Sequence, residues 1–217
     1  MNHEFSNMGR QLAGGSGIEE LMEDLGNALA HGGPDICMLG GGQPAHIPEV
    51  NAIWRRRMEE ILAEPGAMEK VLANYDPPRG NPRFIAALAK LFRSQFGWPL
   101  GPEHIAITSG GQTAFFFLFN LLAGEMPDGR KKKILLPLVP EYIGYANQGS
   151  SGDIFRAVPP KIEKTGPHEF KYRVDFDALE VTDEIAAICV SRPTNPTGNV
   201  LTDEEISRLS GIAKQHG

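Results

Sequence analysis

An asparagine framed by prolines, two tyrosines behind a third proline, and a glycine turn ahead of an apolar helix could do chemistry by type and spacing. In SRPTNPTGNV, residues 191–200, Pro193, Pro196 and Gly198 cannot continue a β-ladder, so Asn195 must sit in a rigid loop. The preceding IAAICV, 185–190, is short, apolar and β-branched, which suits a strand buried on both faces. A loop at the carboxyl end of such a strand is where open α/β sheets hold ligands. The Asn195 amide can donate and accept at a fixed point, serving either a ligand or the cap of its own turn.

In HIAITSGGQTAFFFLFNLLAG, residues 104–124, HIAIT reads as a strand, SGGQ as a turn and the remainder as a helix apolar enough to be wholly buried. Such a junction presents unpaired N–H groups and the positive end of a helix dipole, a seat for a phosphate or a tight turn holding nothing. It is not GxGxxG and lacks a P-loop lysine, so neither a dinucleotide nor a nucleoside triphosphate is specified. In KKKILLPLVPEYIGYANQG, 131–149, a strand over 134–138 leads into a loop carrying Tyr142 and Tyr145, which read alone would be packing residues. The loop NYDPPRGNP, 74–82, holds Tyr75 outside any regular element, as a packing residue or as a contact to a ligand or partner. The glycines of ICMLGGGQPAHIP, 36–48, form either a close-approach site or a plain turn.

The elements that must position these residues alternate. Residues 1–17 read as a flexible arm. Helices follow over 18–30 and over 50–62, the latter with Ile53, Trp54, Ile61 and Leu62 turned inward, and another runs over 84–96 between Pro82 and Gly97. Strands are expected at 153–158 and at the start of 171–180, and an amphipathic helix over 203–216 opens with a capping box from Thr202 to Glu205. The pattern predicts an α/β fold with a doubly wound, mostly parallel sheet. With 217 residues, 41% hydrophobic, the chain can bury one substantial core and part of another. A net charge of −6 without a basic stripe speaks against nucleic acid or an anionic membrane surface. Cys37 and Cys189 lie in separate apolar runs and read as buried hydrophobes of a reducing compartment, while the six histidines form no ligand cluster, so no metal is expected. No signal peptide or membrane span is legible, and a soluble cytoplasmic protein is expected.

A phosphate seat, an aromatic ring and a fixed amide at three strand ends are together what a planar phosphorylated cofactor needs. On LGGGQPAHIPE, NYDPPRGN, SGGQTAFF, LPLVPEYIGYA and ICVSRPTNPTGNV, in this order, the chain resembles the class I aminotransferases of pyridoxal-phosphate fold type I. Among them it is most similar to those that move an amino group from valine to pyruvate. The resemblance implies that Gly110, Gly111 and Gln112 hold the phosphate of pyridoxal 5′-phosphate, that Tyr142 stacks on its ring and that Asn195 hydrogen-bonds its phenolic oxygen. It further implies that Tyr75 reaches the cofactor of a neighbouring subunit in a homodimer with shared active sites. Gly42 would lie beside the substrate carboxylate, and Gly17 with Ile18 would line the side-chain pocket.

By the same resemblance, residues 1–48 are an N-terminal arm and small-domain segment, and 49–217 the first part of the large cofactor-binding domain, incomplete at its C-terminal side. The implied reaction is ping-pong transamination through a lysine Schiff base, with small amino acids and 2-oxo acids as substrates. None of the nine lysines stands in the family's Ser-x-x-Lys setting, so these 217 residues are expected to lack the catalytic lysine and to be inactive alone. Other readings of the motifs are an aminotransferase for alanine or aromatic amino acids, and a non-catalytic aminotransferase-like binding or regulatory module.

Overall fold

The computed structural model describes residues 4–15, 17–33, 37 and 44–217. By their contacts they form two compact units, one of residues 1–23 and 111–217 and one of 24–110. The run 38–43, with Gly42, lies outside the described residues, as do residues 34–36.

The first unit is built on β2 (Lys131–Leu136), which pairs in parallel with β3 (Phe155–Ala157) and with β6 (Ile185–Ile188). A short β1 (Gly124–Glu125) pairs antiparallel with β2, so the sheet is mixed. Ile134 and Leu135 are 1% and 0% exposed, as expected for a central parallel strand covered on both sides. Burial of each such side chain contributes roughly 1.5–3 kcal/mol. Helix α6 (Gly111–Leu122) packs Phe115 and Phe119 over Ile134 and Leu136, with Tyr145, Ile154 and Cys189 completing that cluster. Helix α7 (Asp203–His216) sets Leu209 against Leu138 and Val174 in a second.

The capping box predicted for α7 is present. Thr202 Oγ1 accepts from Glu205 N at 3.2 Å, and Glu205 Oε2 accepts from Thr202 N at 2.8 Å. The other Glu205 oxygen accepts from Val174 N at 3.0 Å, which ties α7 to the segment after β5. The stretch 161–173 is a separate antiparallel hairpin of β4 (Lys161–Gly166) and β5 (Glu169–Arg173), of which sequence reading found only the second strand. A short helix α1 (Asn7–Leu12), with Ser6 accepting from Gly9 N, stands where a flexible arm was expected. Helix α2 (Gly17–His31) follows.

The second unit contains α3 (Pro48–Ala63), α4 (Ala67–Ala73) and α5 (Pro82–Phe96). Helix α5 starts behind Asn81, whose side chain accepts from the amides of Arg83 and Phe84, and stops at Gly97 with φ +66. Residues 105–108, expected as a strand, are extended at Ile105 but pair with no ladder; Ile107 N donates to Arg79 O at 2.9 Å, and the other backbone bonds, from Ile105 N to Pro102 O and from Gly110 N to Thr108 O, are local turns.

Two further expectations are corrected. Ile53, Trp54 and Leu62 of α3 are exposed rather than turned into a core, and α6 buries only one side, leaving Leu121 73% exposed. In each case the apolar periodicity identifies a face that needs a partner, and no described residue covers it. Cys189 is buried as expected, whereas Cys37 is exposed.

Candidate functional site

Gly110 has φ +90, a left-handed conformation that disfavours any side chain, and it turns the chain into α6 at Gly111. A Cβ at Gly110 or Gly111 would meet no atom within 4 Å, so the space beside the helix's first amides is open. Those amides have no acceptor within the helix and sit at its positive end. From the next position, Gln112 Nε2 donates to the Tyr142 hydroxyl at 2.8 Å. The loop after β2 supplies Tyr142 half-buried and Tyr145 buried, their rings edge to face at 5.4 Å, with Tyr145 against Phe119 at 5.2 Å.

The loop after β6 supplies Asn195. Gly198 N donates to Thr194 O at 2.6 Å and Thr194 N to Asn199 O at 3.1 Å, closing the turn by backbone alone. Asn199, buried, anchors it to β5 by accepting from Tyr172 N and donating to Tyr172 O, both at 3.1 Å. Asn195 itself is exposed, and its amide takes no part in the described hydrogen bonds of this turn. The capping task belongs to its neighbours, which removes the local explanation for an amide at this position.

These loops and the α6 start border an open cavity of ≈ 280 Å³ lined by Gly111, Gln112, Tyr142, Tyr145, Ser191 and Asn195 among others. Four of the residues singled out in the sequence, Gly111, Gln112, Tyr142 and Asn195, thus meet in one place, with Gly110 adjacent in the chain. Gly17 opens α2, and a Cβ there would lie 3.7 Å from Ile143 Cδ1, beside Tyr142 in sequence; Ile18 follows in the helix. Tyr75 is fully exposed and borders a polar cleft of the second unit with Arg57 and Asn81.

Sequence reading missed the pair that joins the two loops. Glu141 and Arg192 form a 2.9 Å ion pair with side chains 3% and 8% exposed. The only signal was one charge of each sign in two otherwise uncharged loops at strand ends, each flanked by a proline. Burial of Cys189 beside them, and then the nearby Glu141 carboxylate, push its thiol up to about 11, so it stays neutral and inert near pH 7. Burial likewise raises Tyr145 above the ordinary phenol value.

Gly144 fits only as glycine. A Cβ there would fall 2.5 Å from Tyr142 Cε1 and 2.6 Å from Gln112 Nε2. Gly144→Ala is expected to displace both groups and to cost about 1–3 kcal/mol, checked by chemical denaturation.

The sequence profile of aminotransferase class I and II matches residues 50–217. The Escherichia coli K12 protein named valine–pyruvate aminotransferase is 48% identical over 98% of this chain and 50% of its own length. The crystal structure of valine-pyruvate aminotransferase AvtA from Salmonella typhimurium LT2 superposes with TM-score 0.75 at 46% identity, over 92% of this chain and 47% of that one. A crystal structure from Psychrobacter arcticum 273-4 does so with TM-score 0.87 at 44% identity, over 99% and 53%. The chain spans about half the length of the curated relatives it matches.

Proposed function

The chain belongs to the class I and II aminotransferases, and from that premise we propose that it supplies the cofactor-holding part of an enzyme that transfers an amino group from valine to pyruvate. The observation that carries this reading is the meeting of Gly111, Gln112, Tyr142 and Asn195 around one cavity. The donor set suits a flat phosphate ester: a helix start beside open space at Gly110 and Gly111 for the anion, an aromatic ring for the flat face, and the exposed Asn195 amide for a ring oxygen. When bound, pyridoxal phosphate supplies the electron sink for the charge left as the substrate Cα loses its proton.

The chain's own residues have positioning tasks. Gly110, Gly111 and Gln112 seat the phosphate. Tyr142, held by the Gln112 bond to its hydroxyl, would lie against the ring. Asn195 would donate to the phenolic oxygen and so favour the electron-poor form of the ring. Gly42 serves the substrate carboxylate, Gly17 and Ile18 border the side-chain pocket, and Tyr75 reaches the cofactor of a second copy in a homodimer. Residues 1–48 belong to the arm and small domain, and 49–217 to the large domain.

Among the described residues no lysine lines the cavity, which supports the proposal that these 217 residues do not transaminate by themselves. Valine and pyruvate are favoured because the relatives of high identity bear that activity in their names, whereas the aspartate aminotransferase of Bacillus sp. YM-2 is only 24% identical. Steady-state assays of the full-length protein with a panel of donors test this. Valine with pyruvate is expected to give the highest kcat/KM, and a higher value for aspartate or an aromatic donor contradicts it. Borohydride treatment of the 217-residue chain with pyridoxal phosphate is expected to leave no lysine-linked adduct in the cavity.

A further inference from the structure

We propose that Glu141 and Arg192 act as one positioning device that holds Tyr142 and Asn195 in register for the cofactor. This inference rests on the proposed cofactor site. What distinguishes the pair from an ordinary buried ion pair is that each side chain grips the backbone of the other's loop. Glu141 Oε1 accepts from Tyr142 N at 2.9 Å, while Oε2 accepts from Ser191 N at 3.3 Å and from Arg192 Nη1 at 2.9 Å. Arg192 Nη2 reaches back across to Leu138 O at 2.6 Å, at the end of the β2 segment. Its Nη1 also holds its own loop, donating to Ser191 O at 2.6 Å and to Thr194 Oγ1.

The consequence is geometric. One carboxylate fixes the amide of the residue whose ring faces the cavity, and the same carboxylate fixes the start of the loop that ends in Asn195. A neutral or apolar filler would occupy the space but could not hold both backbones at once, and Lys at 192 could not span Leu138 O and Glu141 as the guanidinium fork does. With side chains 8% and 3% exposed, water cannot substitute for the lost contacts without entering the core. The two loops therefore shift together or not at all.

The test uses the full-length protein and the variants Glu141→Gln, Arg192→Lys and, as a control for general destabilisation, Leu209→Ala in the other core cluster. Two quantities are read: amide exchange of residues 139–146 and 190–199 in the apoprotein, and the dissociation constant for pyridoxal phosphate. Glu141→Gln and Arg192→Lys are each expected to speed exchange in both segments and to weaken binding tenfold or more. The double variant should lose no more than the worse single one, because the residues act as a unit. Leu209→Ala removes packing against Leu138 but no hydrogen bond of either loop, and should leave the dissociation constant within about twofold. Exchange that rises in only one segment, or variants that bind as the wild type does, overturn the device alone. If Glu141→Gln does not fold, Arg192→Lys decides by the same two readings. A wild-type protein that binds no pyridoxal phosphate overturns the proposed site and the device with it.

Discussion

Asn195→Ala in the full-length protein is expected to lower kcat by about 10²–10³-fold, the usual loss when one preorganised donor is removed from a developing negative charge. Stability should barely change. Asn195 is exposed, and its turn closes through Thr194, Gly198 and Asn199 without it. An exposed side chain with no structural task contributes at most about 0.5 kcal/mol. The contrast separates the two meanings an asparagine between prolines can have. A turn-capping residue would show the opposite pattern, with lost stability and near-normal turnover. Stopped-flow or steady-state rates beside a denaturation curve decide between them.

Arg192→Met carries the largest expected effect on stability, a loss of about 3–5 kcal/mol, because it leaves a buried carboxylate without its counter-charge. Glu141 would keep the Tyr142 and Ser191 amides, but its charge would be uncompensated at 3% exposure. Replacing both partners, Glu141→Met with Arg192→Met, should recover much of the loss, since two apolar side chains of similar volume need no desolvated charge. Urea denaturation of the three variants checks the sign and the recovery. A double variant that is stable yet weak in cofactor binding would show that the pair is retained for geometry rather than for stability.

Punctuation and periodicity made most of the fold legible. The Thr202 to Glu205 cap, the Gly97 stop of α5 and the strand at 185–188 are local consequences of side-chain chemistry, and each stands where the residues put it. The failures are tertiary. HIAIT has the composition of a strand but needs a ladder partner that local composition cannot supply; its His104 closes a short 3-10 turn and the residues after it join no ladder. The β4 strand is exposed and charged, KIEKTG, so it carries no apolar alternation to read; only its pairing with β5 defines it.

At the site, the three residues chosen for their chemistry could be named because glycine, tyrosine and proline-framed asparagine are individually conspicuous. Their meeting at one cavity depends on β2 and β6 being neighbours in the sheet, which no local pattern states. The Glu141–Arg192 pair was invisible for the same reason, since its partners stand about fifty residues apart and look like ordinary loop charges. Asn199, three residues past the proline frame, fixes the turn to β5 and carries no local pattern that marks it.

The most direct test of the central claim is a crystal structure of the full-length protein with pyridoxal phosphate. The account predicts the phosphate against the amides of Gly111 and Gln112, the ring against Tyr142, and the Asn195 amide within about 3.2 Å of the phenolic oxygen. Cofactor bound away from the cavity shared by Gly111, Tyr142 and Asn195, or touching only one of them, would contradict it.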